Sequence, residues 1–491
     1  MLLGDTILKK YCDLLVCDNT SDPMKYAKVP EFIKIIYLIF KLYRKKISAI
    51  KYCKYQNSIT KNKYDSLISC YTISWWPQLI CNNGEVGAND FIFKDVINEL
   101  KQRKISIIGN DIFTLPLNEL YKRNLKLRTS KIKWNLFELS FNLKDVFLSF
   151  VVALSYFNNQ TCKIKKNRLN LKTTLFEKIL LLKIAESIID KYEPKIVIMT
   201  CEYCYFHREL SFVCHEKRIP VIALQHGIIT PTHYGYIFDK EEKGKITLPD
   251  KTCVFGQYHY DLLTKNSIYE PDQVVVTGQP RYDVLFYADK IYSKERFFTE
   301  YKINPAHKIV LWTTQCHSLS EEENNKNFKA VFKTMQNLKD TTLIIKQHPG
   351  EREEDTKMIE EFLSKYEISA VVTPKSSDTY EQLFVCDLMI TRHSTTAMEA
   401  VALNKPVVIL NLSGEPDIVE YVQDGVALGV YKEENLKLSI EKLLKDDSEL
   451  AKSRAKYIEK YLYKIDGKAT ERVVKLIEEM IEELRRKKNE K

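Results

Sequence analysis

The chain has 491 residues, of which 45% are hydrophobic, and a formal net charge of +10. This length predicts about two or three domains, and the hydrophobic content excludes an intrinsically disordered protein. The sequence has no zinc-finger spacing, RNP-type aromatic motif or basic-region heptads, so nucleic acid is not an expected partner.

The first residues, MLLGDTILKKYCDLLV, lack a cleavage site after an apolar core, so we predict no signal peptide and expect a cytoplasmic protein. Apolar segments at Phe32–Tyr43 and Val146–Phe157 are much shorter than the roughly twenty residues that a membrane-spanning helix needs. Cys201 and Cys204 form a single CxxC pair without a second pair at zinc spacing. We therefore expect reduced core thiols and no metal site.

Positive charge is concentrated in the first part of the chain. Residues 1–200 contain 33 Lys and Arg against 18 Asp and Glu, whereas residues 201–491 contain 42 against 47. In the segment FIKIIYLIFKLYRKK, apolar residues share one helical face and lysines another. This pattern fits either a core-packing helix with a solvated basic face or a helix at a membrane surface. Lys34–Lys46 and Lys122–Lys133 are candidate contacts with the inner membrane surface or with a lipid-linked acceptor.

Apolar runs bounded by Gly, Pro or polar residues alternate with helical patterns, which predicts an α/β fold with parallel sheets. The alternation forms two series, so we expect two doubly wound, Rossmann-like sheets. The first series has strands at Ser66–Ser74, Ile105–Ile108, Lys195–Thr200 and Pro220–Gln225, and helices at Phe91–Arg103 and Leu175–Tyr192. The second has strands at Ile309–Thr313, Thr341–Gln347, Ala370–Thr373, Leu388–Thr391 and Pro406–Asn411.

The stretch VVVTGQPRYDVLF, residues 274–286, separates the two series and is the candidate hinge. We predict a first domain over residues 1–285, with a basic helical leader, and a second domain over residues 286–465. The remaining residues, 466–491, are predicted to form a helix from Ala469 to about Arg486. Its apolar stripe needs a partner surface, which we expect to be the first domain.

Polar clusters follow three of the predicted strands. His226 lies in ALQHGIITP, Lys346 and His348 lie in KQHPGE, and Ser394 lies in TRHSTTAMEA. Because two α/β domains in tandem bind ligands between the carboxyl ends of their strands, these clusters are expected to face one cleft.

The third cluster also has the pattern of a phosphate-binding loop. Ser394 or Thr395 is expected to cap a helix over Thr396–Leu403, with backbone N–H groups directed at the cleft. Glu399, about one turn further on, is a candidate partner for ribose hydroxyls. The alternative is an ordinary helix cap with a first-turn acid.

Seven motifs in fixed order carry a resemblance over roughly residues 195–475: LQHG, VTGQPRYD, KQHP, RHSTTAMEA, NKPVVIL, GEPD and DGKATERVVKLI. Together they resemble the GT-B nucleotide-sugar transferases of surface polysaccharide assembly. Fold relatives of that group are the UDP-N-acetylglucosamine 2-epimerases, the polysialyltransferases and the CDP-glycerol glycerophosphotransferases. The resemblance implies two Rossmann-like domains facing across a cleft.

The resemblance also implies which residues form the site. His226 is the candidate base, and Glu85 and Asp90 in the segment WWPQLICNNGEVGAND are its rivals. The implied substrate- and donor-binding residues are Gly227, Gly278, Arg281, Lys346, His348, Ser394, Thr395, Thr396 and Glu399. GT-B relatives act without a bound metal, and no Asp-x-Asp pair lies near the donor loops of this chain.

The implied activity is transfer of a sugar from a nucleotide-activated donor to a glycan or lipid-linked acceptor. Epimerases of this fold have a Gly-Gly pair in the Ser/Thr loop, where this chain has Thr395-Thr396. They also have a Glu soon after the His of the first domain, where this chain has Ile228-Ile229. The polyol-phosphate transferases usually have a lysine soon after His-Gly, which this chain lacks. CDP-polyol phosphotransferase and 2-epimerase-like activity therefore remain alternatives, as does a non-catalytic nucleotide-sugar binding protein.

Overall fold

The computed structural model describes residues 39–40, 43–44, 46–47, 63–70, 92–111, 133–136, 140–142, 144–151, 168–204, 206–375 and 377–490. Within these ranges the first sheet has seven parallel strands in the order β3-β2-β1-β4-β5-β6-β7. They are β1 (Ser66–Cys70), β2 (Ile107–Asp111), β3 (Lys133–Leu136), β4 (Ile196–Thr200), β5 (Val221–Leu224), β6 (Lys251–Val254) and β7 (Val274–Val276).

The second sheet has six parallel strands in the order β10-β9-β8-β11-β12-β13. They are β8 (Lys308–Thr313), β9 (Thr341–Lys346), β10 (Ala370–Thr373), β11 (Leu388–Thr391), β12 (Val407–Leu410) and β13 (Leu428–Val430). The strand order reverses between β8 and β11, and such a reversal leaves a crevice at the carboxyl ends of the strands. The predicted α/β fold with two Rossmann-like sheets is confirmed.

Helices of the first half are α1 (Lys94–Gln102), α2 (Arg168–Tyr192), α3 (His207–Glu216) and α4 (Gln257–Asn266). After β7 come α5 (Asp283–Phe286), α6 (Ala288–Ile291), α7 (Lys294–Tyr301), α8 (Glu321–Gln336), α9 (Glu353–Lys365), α10 (Thr379–Val385) and α11 (Thr396–Ala402). The chain continues with α12 (Leu436–Lys445), α13 (Ser448–Tyr457) and α14 (Ala469–Asn489). None of the helices in the described ranges has the length and apolar character that crossing a membrane requires.

Both sheets are covered by apolar side chains on both faces, which explains why their central strands are continuous apolar runs. Every residue of β4 and of β9 is buried. In the first half, α2 and α3 cover one face of the sheet and α1 and α14 cover the other. The strands are therefore rigid supports for the loops that follow them.

The last helix, α14, crosses back to the first half, as predicted. Val473, Ile477 and Ile481 are buried in the cluster that contains Val96 and Leu100 of α1, and Met480 is partly buried against it. An ion pair of 2.6 Å between Arg103 and Glu478 joins the same two helices. The apolar stripe therefore has the partner surface that its pattern required.

The connection between the halves is fastened to the start of α14. The Asp283 carboxylate accepts the backbone N–H groups of Ala469 and Thr470, both at 2.8 Å. Arg472 Nε donates to the Thr277 carbonyl at 2.7 Å. The last strand of the first sheet ends at Val276 and the first strand of the second begins at Lys308. The predicted domain ranges, with their boundary at residue 285, stay predictions.

Candidate active site

A cavity of about 100 Å³ lies at the carboxyl ends of the second sheet. Its wall is formed by segments that follow β8, β9, β10 and β11, together with Arg281 from the connection. Seven of the predicted binding residues line it: Arg281, Lys346, His348, Ser394, Thr395, Thr396 and Glu399. The structure therefore brings together residues from three motifs that are far apart in sequence.

The KQHPGE segment is both a turn and a wall of the cavity. His348 Nδ1 accepts the backbone N–H of Gly350 at 3.0 Å, so the neutral ring carries its proton on Nε2. Lys346 Nζ donates to the carbonyls of Gln347 at 3.1 Å and Lys375 at 2.8 Å. Burial lowers the pKa of Lys346 to about 8 and that of His348 to about 4. At neutral pH the segment thus presents a cation and a neutral imidazole.

A buried carboxylate that sequence reasoning missed joins the ends of β8 and β9. Glu351 accepts hydrogen bonds from Thr314 Oγ1 at 2.9 Å and from the Cys316 backbone at 2.9 Å. It also accepts from Gln347 Nε2 at 3.2 Å. These bonds fix the loop after β8 against the loop after β9. The polar cluster TTQC at the end of β8 was the sequence feature that could have indicated a polar partner for Glu351.

The Ser394 loop is ordered by its own hydroxyl groups. Ser394 Oγ accepts from the Thr396 backbone at 3.2 Å and from Thr396 Oγ1 at 2.8 Å. Thr395 occupies the cap position of α11 without a side-chain cap bond, so Ser394 performs the capping. Thr313 Oγ1 lies 3.4 Å from Thr396 Oγ1 and connects the loop to β8. The expected helix start at Thr396 is confirmed.

Glu399 and Arg281 form a buried ion pair with a separation of 3.0 Å. Arg281 also donates to the Tyr282 hydroxyl at 3.0 Å. Burial raises the pKa of Glu399, and the Arg281 guanidinium opposes that rise. The pair ties the connection between the halves to α11. The predicted contact of Glu399 with a ribose stays a prediction. The positive charge of Arg281 at the cavity is already balanced by Glu399.

The His226 loop extends from the first sheet toward the second half. Its Ile228 packs against the apolar cluster that contains Tyr282 and Met398. Gln225 holds the loop by donating to the Gly227 carbonyl at 2.8 Å and accepting from the Phe255 backbone at 2.9 Å. His226 is not among the residues that line the cavity, but the positive charge of Arg281, which does line it, lowers the pKa of His226.

His226 has a thiol rather than a carboxylate beside its ring. Its Nδ1 lies 3.1 Å from the sulfur of Cys201, a residue held at a positive φ of 49°. A hydrogen bond with Cys204 and burial raise the pKa of the Cys201 thiol well above its usual value. Burial and the Arg281 charge lower the pKa of His226 to about 4. At neutral pH His226 is therefore an uncharged ring that can accept a proton.

Two predicted glycines have no place in the cavity wall. Gly227 lies in the His226 loop, and a Cβ added there would meet no atom within 4 Å. Gly278 has a φ of +76°, and an added Cβ would lie 3.3 Å from the Ala469 Cβ. Gly278 therefore permits the close packing of α14, and its predicted role in binding stays a prediction. Glu85 and Asp90 lie outside the described residues, so the rival bases stay predictions.

Two further histidines beside the cavity were also missed. The His317 ring stacks on His348 with a centroid distance of 4.1 Å and an interplanar angle of 20°. His393 Nε2 lies 3.4 Å from Ser318 Oγ, next to His317.

Cys201 and Cys204 are not disulfide-bonded, and the described residues contain no group of His, Cys, Asp and Glu side chains that is suited to a metal ion.

Residues 149–479 match the model of the family described as CDP-Glycerol:Poly(glycerophosphate) glycerophosphotransferase. The chain belongs to this family. A search among curated proteins finds no match. The family is one of transferases, so the predicted transferase class is confirmed, together with the suspected relationship. The sequence motifs predicted the glycerophosphotransferases only as fold relatives and as an alternative function.

Solved structures with the same fold include two groups of proteins. A UDP-GlcNAc 2-epimerase from Neisseria meningitidis bound to UDP-GlcNAc matches with a TM-score of 0.54 and 15% identity, covering 84% of this chain and 98% of that one. A putative UDP-N-acetylglucosamine 2-epimerase from Listeria monocytogenes matches with a TM-score of 0.55 and 14% identity, covering 86% and 97%. A variant of the wall teichoic acid polymerase TagF soaked with CDPG matches with a TM-score of 0.52 and 12% identity, covering 92% and 98%. At these identities the likeness concerns the fold.

Proposed function

We propose that the protein transfers a group from a nucleotide-activated donor to a hydroxyl acceptor during surface polymer or glycoconjugate assembly. The first donor class is a CDP-polyol such as CDP-glycerol, from which a polyol phosphate is transferred and CMP released. The observation that carries the proposal is the family match over residues 149–479, which includes every described residue of the cavity wall.

The donor is proposed to bind in the cavity of the second half. Lys346 supplies a buried positive charge, and the Ser394 hydroxyl, whose oxygen accepts two hydrogen bonds from Thr396, has its own O–H to donate to a phosphate oxygen. His348 donates from Nε2 in its neutral form. These groups suit a diphosphate, whose charge needs both a cation and several donors.

His226 is proposed as the general base that takes the acceptor's proton. A general base must be unprotonated, and a pKa of about 4 keeps the His226 ring neutral at pH 7, although it also makes the ring a weaker base than one with a pKa near 7. As the acceptor oxygen forms its bond to phosphorus, its proton passes to His226 and the bond to the leaving CMP oxygen breaks. Lys346 stabilises the negative charge that develops on CMP. Glu85 and Asp90 remain rival bases.

A nucleotide sugar is the second donor class, since Ile228 and Ile229 follow Gly227 where the polyol-phosphate transferases resembled above have a lysine. In that reaction the acceptor oxygen attacks the anomeric carbon, and the product is a glycoside. Both reactions are proposed to proceed without a bound metal, because Lys346 supplies a positive charge at the cavity, whereas Arg281 is already paired with Glu399. Turnover should then persist in excess EDTA.

The deciding experiment incubates purified protein with CDP-glycerol, CDP-ribitol and UDP-GlcNAc, with and without lipid-linked acceptors. Acceptor-dependent release of CMP supports polyol-phosphate transfer, and acceptor-dependent release of UDP supports sugar transfer. Conversion of UDP-GlcNAc without an acceptor, followed by NMR, would instead reveal an epimerase. Tight binding of a donor without turnover in any mixture would favour a nucleotide-sugar binding protein.

The acceptor side is proposed to lie at the inner membrane surface. Phe40, Ile47, Phe147 and Val151 are exposed on helical segments of the first half. Lys46 lies over the Phe141 ring at 5.0 Å, which places positive charge beside this apolar surface. Exposed apolar side chains together with cations favour binding to anionic lipid. Much of Lys34–Lys46 and nearly all of Lys122–Lys133 lie outside the described residues.

Flotation with phosphatidylglycerol-containing and neutral vesicles tests the membrane proposal. Binding should require the anionic lipid and weaken as salt increases, because the charge contribution is screened. A Phe147→Ser, Val151→Ser double variant should float less at every salt concentration. Failure of the parent protein to float at low salt would contradict the proposal.

A further inference from the structure

An aromatic cluster lies beside His226 at the carboxyl edge of the first sheet. Tyr203 follows β4, whereas His233 and Tyr234 lie on the loop that follows β5, which also carries His226. The Tyr203 ring centroid lies 6.3 Å from that of His226. It lies 5.0 Å from the centroid of His233 and 5.9 Å from that of Tyr234. Tyr203 therefore connects the proposed base to two rings further along the same loop.

The outermost ring of this cluster is that of Tyr234, a residue that is 68% exposed. Its ring stacks on the half-buried His233 ring with a centroid distance of 5.6 Å and an interplanar angle of 21°. Below them the buried Tyr236 ring packs edge-on against His233 at 5.0 Å and against Tyr203 at 5.1 Å. Tyr234 is thus the outer member of a supported cluster rather than an isolated surface side chain.

The loop that carries Tyr234 is held in place by short-range contacts. The His233 N–H donates to the Thr230 carbonyl at 3.0 Å, and the Gly235 N–H donates to His233 Nδ1 at 3.2 Å. A Cβ added to Gly235 would lie 2.3 Å from Cγ of Tyr203, so the absence of a side chain lets the loop lie this close to that ring. A ring that is positioned before its ligand arrives lowers the entropy that binding costs.

The composition of this loop suits an uncharged ligand that carries hydroxyl groups. Residues 230–236 read TPTHYGY and contain no Lys, Arg, Asp or Glu. Burial lowers the pKa of His233, so its imidazole is neutral at pH 7. Thr230 and Thr232 place two hydroxyl groups 3.5 Å apart on the same loop. A pyranose matches both features, because its C–H groups pack on the negative face of an aromatic ring and its hydroxyls hydrogen-bond to threonine.

We infer that the stacked rings of Tyr234 and His233 bind a pyranose of the acceptor, adjacent to the unit whose hydroxyl group gives its proton to His226. The inference rests on the proposed function for the role of His226. It names the acceptor class as an uncharged glycan end rather than a polyol-phosphate polymer. An open-chain polyol has no flat C–H face to lay on a ring, and its phosphates meet no cation in residues 230–236.

Sugar binding can be measured without turnover by saturation-transfer NMR with cellobiose, lactose and N,N′-diacetylchitobiose. Glycerophosphoglycerol is the open-chain, anionic probe. At least one disaccharide should bind, with saturation transferred to its ring C–H protons, and should bind more tightly than glycerophosphoglycerol. Tyr234→Ala should weaken disaccharide binding by roughly two- to tenfold, because the stacking contact is lost. Tyr234→Phe keeps the ring and should bind as the parent does.

Tyr431→Ala is the matched control, since Tyr431 is also an exposed tyrosine but directly follows the edge strand β13 of the second sheet. It should bind the disaccharides as the parent does. In the acceptor-dependent assay, Tyr234→Ala should raise KM for a lipid-linked glycan acceptor by a similar factor and leave KM for the donor unchanged. Because the Tyr234 ring is largely exposed, its removal leaves the core intact.

The outcomes separate this inference from the proposed function. Disaccharide binding that Tyr234→Ala weakens, in a protein that turns over no donor, would support the sugar site and contradict the transferase function. Acceptor-dependent turnover with the same acceptor KM in Tyr234→Ala and the parent would leave the function in place and overturn the sugar site. The site is likewise overturned if no disaccharide binds or if glycerophosphoglycerol binds more tightly than every disaccharide. Loss of flotation with phosphatidylglycerol vesicles in Tyr234→Ala, with disaccharide binding unchanged, would overturn it in favour of a membrane contact.

Discussion

The carboxyl ends of the two sheets carry different chemistry. At the end of the first sheet, His226 lies against the Cys201 thiol in a setting of apolar and aromatic side chains. At the end of the second, Lys346, stacked imidazoles and hydroxyl groups surround a cavity. The first setting keeps one base neutral, and the second attracts an anion. Under the proposed function, reaction and donor binding are divided between the halves, and this division can be tested.

The largest expected effect follows from removing the His226 imidazole. His226→Ala should lower kcat by roughly two to four orders of magnitude, because a general base is lost, while nucleotide binding stays nearly constant. Steady-state kinetics and calorimetry with CMP separate the two quantities. His215→Ala is the control, since His215 lies beside Asp250 at the other end of the first sheet. If His226→Ala lost nucleotide binding and turnover to the same extent, the proposed separation of reaction and donor binding between the halves would be contradicted.

A second test concerns which half α14 stabilises. Ile477→Ala should reduce the free energy of unfolding by about 2–5 kcal/mol, because Ile477 is fully buried against α1 and the first sheet. Hydrogen exchange should increase in β4 more than in β8. Leu438→Ala, on the exposed face of α12, is the control and should change stability by less than about 0.5 kcal/mol. Equal exchange in both sheets would contradict the assignment of α14 to the first half.

The donor side is tested by His348→Ala. Loss of its hydrogen bond to phosphate should weaken nucleotide binding by about 1–3 kcal/mol, with a smaller effect on kcat than His226→Ala has. Calorimetry with CMP and CDP measures the loss, and His307→Ala serves as the control. If His348→Ala binds nucleotide as the parent does, then KQHPGE is only a turn and the donor assignment fails.

The smallest effect concerns acid stability at the contact between the halves. His259 is fully buried between Phe255 and Tyr461, and burial lowers its pKa to about 3. Because this folded-state pKa lies below the unfolded value of about 6.5, stability is complete above pH 6.5 and is lost as pH falls toward 3. The contribution is at most about 1.4 kcal/mol per pH unit. Urea denaturation should show that the free energy of unfolding falls less from about pH 7 to pH 5 in His259→Leu than in the parent protein. An equal fall in both proteins would contradict the assignment of this acid sensitivity to His259.

Much of the fold could be predicted because buried parallel strands are continuous apolar runs. The predicted strand Leu388–Thr391 is reproduced without change, and β8 differs from its prediction only by Lys308. Shorter or more polar strands were missed: β3 reads KWNL, β13 reads LGV, and β7 was taken as part of the hinge. Their pairing depends on neighbours in the sheet rather than on their own pattern.

The candidate site could be predicted in part for a similar reason. Lys346, His348 and Ser394 directly follow strong strands, so their arrival at one edge follows from the topology. The Arg281–Glu399 pair and the His317–His348 stack depend on packing between segments that are distant in sequence. No local pattern contains that information, and the packing of Gly278 against Ala469 of α14 likewise joins residues that are distant in sequence.

The attachment of α14 has a mechanical consequence. The polypeptide passes between the halves twice, and the bonds from Asp283 to Ala469 and Thr470 join the two passages to each other. Close by, the Tyr461 backbone approaches Gly256 so tightly that an added Cβ would lie 2.5 Å from it. Sliding one half along the other would break both contacts, whereas rotation about an axis through the joined passages would preserve them. Any closure of the cleft that keeps both contacts would be a rotation about that axis, and it would carry His226 along an arc relative to the cavity.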